Sequence, residues 1–547
     1  MTPRGGGRPV VLAERARHLA TATDEAWDVV VVGGGIVGAG VLLDAASRGL
    51  RAVLVEQEDI ASGTSSRSSR LIHGGLRYLE QFRFGLVREA LRERSRLLWL
   101  APHLVRLEPV LFPFSGPPLL ARGFYGSGLL FYDLLGARRD GGLAGHLSRQ
   151  ETLAWAPSLR PARVRGGIVY HDGVEDDARY ALAVTRTAVG RGAVALTRVR
   201  ATGLVEDAGR VGGLRIRDLL DDTDGVIRAR HVVDATGVWA ATAEHPLGGV
   251  GTRMLPSRGA HLVIPRPRLA SRSGVTVRMD GRVLFLIPWQ EHWIVGTTDT
   301  PDHGAPDHPS ATAAEVDELL LAVNRAFDSG VTRDDVVGTY AGLRPLIAPV
   351  NGGSTTRASR EHRVSVERNG LIRVSGGKYT TYRVMARDAG DRVVDADDRR
   401  APSTTGDIRL TGAADRAVLD SLTADLAARF DLDRVTADGL VGRHGTEASD
   451  VLALGIAEGR LTPLGDTGTI EAEVAWAARH ELALSIDDVL ARRLRLAHVL
   501  PDRGASIAPR VAALLGSELG WDDARQERDV SAYLGRADRE YGVPGPA

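Results

Sequence analysis

The 547-residue chain has no cysteine. That removes disulfides, thiolate nucleophiles and cysteine-held metal or iron–sulfur centres, and it suits a reducing compartment. Net charge is absent as well, with 69 basic and 69 acidic residues, so bulk electrostatics give no reason to expect nucleic acid as a partner. The longest uncharged apolar runs fall short of the roughly 18 residues that read as a spanning helix. Residues 1–27 lack the apolar core of a secretory signal, and a cytoplasmic location is expected. No H-x-x-x-H or HExxH pattern occurs, and no metal is expected.

Lysine is nearly absent. Lys378 is the one lysine in the chain, and every other basic residue apart from histidine is arginine. A compact, mobile ammonium kept where the planar arginine fork is otherwise universal marks this position, in the run SGGKYTT, as a candidate for chemistry. What remains is ordinary for a globular protein: 43% apolar and 25% charged residues, and length enough for two or three domains.

The chain is organised around residues 28–56, DVVVVGGGIVGAGVLLDAASRGLRAVLVE. A continuous β-branched run bounded by glycines fits a strand buried on both faces. Gly33, Gly35 and Gly38 then form a G-x-G-x-x-G turn opening an apolar helix. Such a turn lets the backbone approach a pyrophosphate, whose charge is favoured at the helix N-terminus. A second strand ends on Glu56, placed to accept bonds from ribose hydroxyls. Strand, turn, helix, strand and acid at these distances predict dinucleotide binding.

A loop of small hydroxyl residues follows, then LIHGGLRYLE, the whole run 64–80 reading TSSRSSRLIHGGLRYLE. Hydroxyls and glycines let the backbone lie against a ligand, which predicts cofactor contact by Thr64, Ser65, Ser66, Gly75 and Leu76. This run, with GLRPL at 342–346 and GGKYTTY at 376–382, resembles the FAD-dependent glycerol-3-phosphate dehydrogenases of the wider glycine oxidase and D-amino-acid oxidase superfamily. Arg67 and Arg70 are departures, since family members usually carry less arginine in this loop.

The resemblance implies FAD as cofactor, glycerol 3-phosphate as substrate and a quinone as electron acceptor. It places Arg77, Tyr78, Arg344, Arg360 and Lys378 around the substrate. A phosphate dianion needs fixed cations, and arginine's fork suits it. Arg344 is the residue expected to stabilise developing alkoxide charge at C2. His73 and His261 are the candidates for the base. Ala235, Thr236 and Gly237, ending a strand in a second small-residue turn, and Gly377, Lys378 and Thr380 are expected at the cofactor. An oxidase returning electrons to oxygen, a non-catalytic FAD-binding regulatory protein and an amino-acid oxidase are the alternatives.

The expected fold is α/β: a Rossmann-like FAD-binding domain, an antiparallel-sheet substrate domain and a C-terminal α-helical domain. Residues 1–24 read as a disordered arm, 25–394 as the FAD-binding domain with substrate parts at roughly 95–165 and 250–345, 395–407 as a linker, and 408–547 as a helical cap without chemistry. Residues 109–135 read on their own as buried core. With Arg122, Arg138 and Arg139 they also suit an interfacial segment, and the implied quinone strengthens that second reading of a peripheral contact with the inner face of the cell membrane. The sequence is compatible with a homodimer without specifying one.

Overall fold

A computed structural model describes residues 10–74, 84–115, 145–242, 245–248, 254–279, 282–302, 304–347, 361–398 and 401–546. Its first sheet has eight strands and grows from the nucleotide motif. The strand Ala26–Val32 pairs in parallel with Ala52–Glu56 on one side and with Thr223–Asp234 on the other. Outer parallel pairings bring in Val194–Thr197 and Ile372–Gly376. Val29, Val30 and Val31 are fully buried because the sheet is covered on both faces, the reason the run reads as continuous valine. The helices Ile36–Ser47, Asp177–Val189 and Tyr382–Ala396 pack together on one face.

The second sheet has ten strands and is antiparallel apart from one pairing, Gly274–Met279 with Val105–Phe114. In it Met254–Pro265 lies between Gly338–Ile347 and His292–Gly296. The strand Gly166–Glu175 belongs to this sheet, beyond the 95–165 segment expected for it. The helix Ala313–Ala326 is started by a capping box between Thr312 and Glu315. Its apolar side, with Val316, Leu319 and Val323, shares a core with this sheet.

From Arg416–Phe430 to Asp523–Tyr541 the described chain is dominated by helices, as the three-to-four spacing predicts. These helices are not a free-standing appendage. Val263, Ile294 and Tyr340 of the second sheet share one core with Leu490, Leu515 and Tyr541.

The amino-terminal arm differs from expectation: Val10–Asp24 is a helix. Its anchor is Arg15, whose buried fork bonds both carboxylate oxygens of Asp218 at 2.7 and 3.1 Å and the Thr197 carbonyl at 2.9 Å. Of its residues only Arg15 and Ala22 are buried, so it carries little of the apolar periodicity by which helices are recognised.

Candidate active site

The parallel strands end on a cavity of about 1920 Å³ that runs between the two sheets, above the roughly 300–1,000 Å³ of ordinary small-molecule sites. Gly33 turns the chain at φ +107°, a conformation open to glycine, and a Cβ there would lie 2.8 Å from the Ala235 carbonyl oxygen. At Gly38 a Cβ would stand 1.9 Å from the Gly33 carbonyl oxygen, so only a bare α-carbon seats the helix on the turn. The Ile36 N–H at the helix N-terminus donates to Ser65 Oγ at 2.9 Å. Glu56 accepts from the Gly34 and Glu58 N–H groups at 2.6 and 2.7 Å. Burial pushes its carboxyl up to about 7, and those two donors oppose the shift.

The second small turn is fixed by Asp234, which accepts from the Thr236 N–H at 3.1 Å and its hydroxyl at 2.7 Å. The Ala235 N–H returns to the first strand at the Val32 carbonyl, 2.9 Å away. Thr64 Oγ1 donates to the Leu343 carbonyl at 2.7 Å, tying the serine loop to the strand that carries Arg344. Gly377, Lys378 and Thr380 line the same cavity, where the strand Ile372–Gly376 turns into the helix Tyr382–Ala396.

At the other end of the cavity Arg344 projects from Gly338–Ile347. Its guanidinium donates to the Thr298 carbonyl at 3.2 Å and Thr297 Oγ1 at 2.9 Å, with Asp299 3.7 Å away. Gly259 on the adjacent strand makes the room: a Cβ there would fall 2.3 Å from Arg344 Nη2. His261, two residues on, is buried, stacks on Tyr340 at 4.6 Å and sets Nε2 2.8 Å from Ser69 Oγ. Burial, then the Arg344 and Arg70 charges, hold this imidazole down at about 3, so it is neutral across the physiological range. Arg70 is fully buried, lies 3.8 Å over the Trp289 ring, and its side-chain nitrogens have no hydrogen-bond partner among the described residues. Burial and neighbouring Arg495 push it down to about 10, still charged at neutral pH.

Residues 28–413 match the FAD dependent oxidoreductase family, and residues 403–526 match the C-terminal domain of alpha-glycerophosphate oxidase. Glycerol-3-phosphate dehydrogenase 2 of Mycobacterium bovis is 42% identical over 533 residues, covering 96% of this chain and 91% of its own length. The chain belongs to the FAD-dependent glycerol-3-phosphate dehydrogenase family. A solved structure of the glycerol-3-phosphate dehydrogenase from Bacillus halodurans complexed with FAD superposes with a TM-score of 0.80 at 29% identity, covering 96% of this chain and 97% of that one. L-alpha-glycerophosphate oxidase from Mycoplasma pneumoniae shares the fold, with a TM-score of 0.55 at 17% identity over 70% of this chain.

FAD is thus the cofactor of this dehydrogenase family member, and the residues present fit it. A Cβ at Gly35 would close to 3.2 Å on Ser65 Oγ, in the space between helix N-terminus and serine loop. Glu56 stands at the end of the second strand on the cavity wall, where its carboxylate would accept from a ribose hydroxyl. Gly33, Gly35, Glu56, Thr64, Ser65, Ala235, Thr236, Gly237, Gly377, Lys378 and Thr380 line one cavity with His73, His261 and Arg344. Gly38 and Ser66 lie off its wall: Gly38 packs helix on strand, and the Ser66 hydroxyl turns to the Gly63 carbonyl at 3.4 Å. Gly75, Leu76, Arg77, Tyr78 and Arg360 lie outside the described residues.

Sequence reasoning missed Ser69, although it sits inside the family run, because six hydroxyl residues within positions 62–69 cannot be told apart by type. It gave no role to Thr297, Thr298 and Asp299, which hold Arg344 in place. The signal available was a polar Thr-Thr-Asp closing an apolar strand. Arg67, set down as a departure, pairs in the interior with Glu540 of the last helix.

Proposed function

We propose that this protein oxidises sn-glycerol 3-phosphate at C2 to dihydroxyacetone phosphate and delivers the electrons to a quinone. The observation that carries the reading is the wall facing the nucleotide turn: Arg344, braced by Thr297, Thr298 and Asp299, lines one cavity with His261 and Lys378. FAD, when bound, accepts the hydride from C2.

The chain's own residues supply the rest. The Arg344 guanidinium presents its fork where negative charge develops on the C2 oxygen, and because it is held before the substrate arrives it needs no reorganisation. Lys378, on the wall of the same cavity, adds a second cation, and both draw the phosphate dianion into the cavity. His261, neutral and seated between Tyr340 and Ser69, accepts the hydroxyl proton at a ring nitrogen. Burial holds the imidazole down first and the Arg344 and Arg70 charges second; an incoming dianion offsets the second of these. His73, also on the cavity wall, is the second candidate for that role. Arg77, Tyr78 and Arg360 complete the substrate contacts in this proposal.

The acceptor is proposed to be reached by peripheral contact with the inner face of the cell membrane. Among the described residues no helix is long and apolar enough to cross one. The test is anaerobic addition of glycerol 3-phosphate to the purified yellow holoenzyme, followed by reoxidation with oxygen or a quinone analogue. Bleaching by the substrate and faster reoxidation by the quinone are expected. Rapid peroxide formation would replace the dehydrogenase by an oxidase, and a flavin that never bleaches would leave a non-catalytic flavoprotein.

A further inference from the structure

Among the described residues the C-terminal helices contribute nothing to the cavity wall, yet they grip the serine loop from behind. Arg495, 1% exposed, donates through Nη2 to the Ser66 carbonyl at 3.3 Å and pairs through the same nitrogen with Asp177. Asp177 is itself fully buried in the first turn of the helix Asp177–Val189. Its other oxygen accepts from the Ser68 N–H at 3.0 Å and the Ser68 hydroxyl at 2.7 Å. The Ser68 carbonyl in turn accepts from the Tyr340 hydroxyl at 2.9 Å. The next residue, Ser69, places Oγ 2.8 Å from His261 Nε2, and the His261 ring stacks on that same Tyr340.

Residues 66–69 are therefore pinned at successive backbone and side-chain atoms, and the last of these bonds ends on His261. Two residues of the relay hold a conformation that a side chain disfavours: Arg495 at φ +63° and Arg70, which closes the loop, at φ +54°. Such settings persist where the surroundings over-determine them. The buried charges supply that determination, since a guanidinium and a carboxylate removed from water are held to each other and to the remaining donors.

We propose that Arg495 is a positioning residue for the oxidation: by fixing Asp177, and through it residues 66–69, it sets the Ser69–His261 hydrogen bond and the direction in which His261 faces the cavity. The proposal rests on the reading of His261 as the acceptor of the substrate proton. It gives the C-terminal domain a part in the reaction, exerted through the loop it clamps.

The holoenzyme carrying Arg495→Gln, Arg495→Lys, Ser69→Ala or Arg495→Gln with Ser69→Ala tests this, with Arg510→Gln, which removes the outlying cap pair to Glu471, as control. Measured are flavin reduction by glycerol 3-phosphate in a single turnover, KM, FAD content and amide exchange of residues 62–70. Arg495→Gln is expected to slow reduction by about tenfold or more with KM changed less than about threefold, and to speed exchange in 62–70. Arg495→Lys falls between, because the ammonium keeps the charge and loses the fork. Adding Arg495→Gln to Ser69→Ala costs nothing further, since one bond transmits both effects. A wild-type reduction rate in Arg495→Gln, additive effects in the double variant, or a loss confined to FAD content or KM overturns the proposal. Should Arg495→Gln fail to fold, wild-type kinetics in Arg495→Lys beside a slow Ser69→Ala overturns it equally. Exchange in 62–70 reads the Arg495 clamp even if wild-type flavin ignores glycerol 3-phosphate, so the two failures are distinguishable.

Discussion

The strand Ala26–Val32 buries Val29, Val30 and Val31 completely between parallel neighbours, with its side chains in an apolar core. Where the C-terminal helices meet the nucleotide domain, burial is as deep and the chemistry is opposite. Asp59, fully buried, receives Arg492 Nε at 2.6 Å and the Arg493 fork at 2.6 and 2.8 Å. Arg179 sets its fork on Glu481 at 2.8 Å, Arg198 reaches Asp488 at 2.8 Å, and Arg67 pairs with Glu540. One region is held by exclusion of water from apolar surface, which is tolerant of small geometric error. The other is held by ions removed from water, where each charge depends on its partner being present. The first therefore makes a scaffold, while the second makes a junction that fails when one proton or one carboxylate changes.

Acid should separate the two most sharply. Glu540 and Glu481 are buried beside Arg67 and Arg179, whose charges outweigh burial and hold their carboxyls well below the usual range, Glu540 at about 2. A carboxylate depressed on folding contributes stability that is fully present above its unfolded value near 4.5 and is lost as pH falls toward 2. Amide exchange followed downward from pH 5 should show the junction opening while residues 26–56 stay protected; simultaneous loss of both would break the contrast. At neutral pH, Asp59→Asn leaves two buried guanidinium groups short of their counter-charge and should cost about 3–5 kcal/mol in urea unfolding. Val31→Ala, which leaves a small void, should cost about 2 kcal/mol by the same measurement. Arg434→Ala, which removes an exposed pair to Asp438, should leave the melting temperature unchanged.

The same contrast explains what was legible in the sequence. The valine run, the glycine turn and Glu56 announced the nucleotide domain, because period and spacing are carried by the chain itself. Alternating apolar segments announced the second sheet, and three-to-four spacing announced the helices. Residues 10–24 read as disorder because few residues of that helix are buried and its buried arginine finds a partner, Asp218, distant in sequence. The helical domain read as free of chemistry for a like reason: Arg495 and Glu540 each look like a solvated charge until the fold pairs them with Asp177 and Arg67. At the cavity, Lys378 was legible as the chain's lone lysine and Arg344 through its motif. Thr297, Thr298 and Asp299 were not, since a residue that braces another side chain leaves no periodic trace.

In the proposed oxidation a fixed guanidinium meets the charge that develops on the substrate as C2 is oxidised. The direct measurement is the rate at which glycerol 3-phosphate bleaches the flavin of the wild-type holoenzyme and of Arg344→Ala in a single anaerobic turnover. The wild type should bleach, and the variant should retain its yellow flavin and bleach about a thousandfold more slowly, the scale of losing one preorganised oxyanion donor. Equal rates in the two proteins would contradict it.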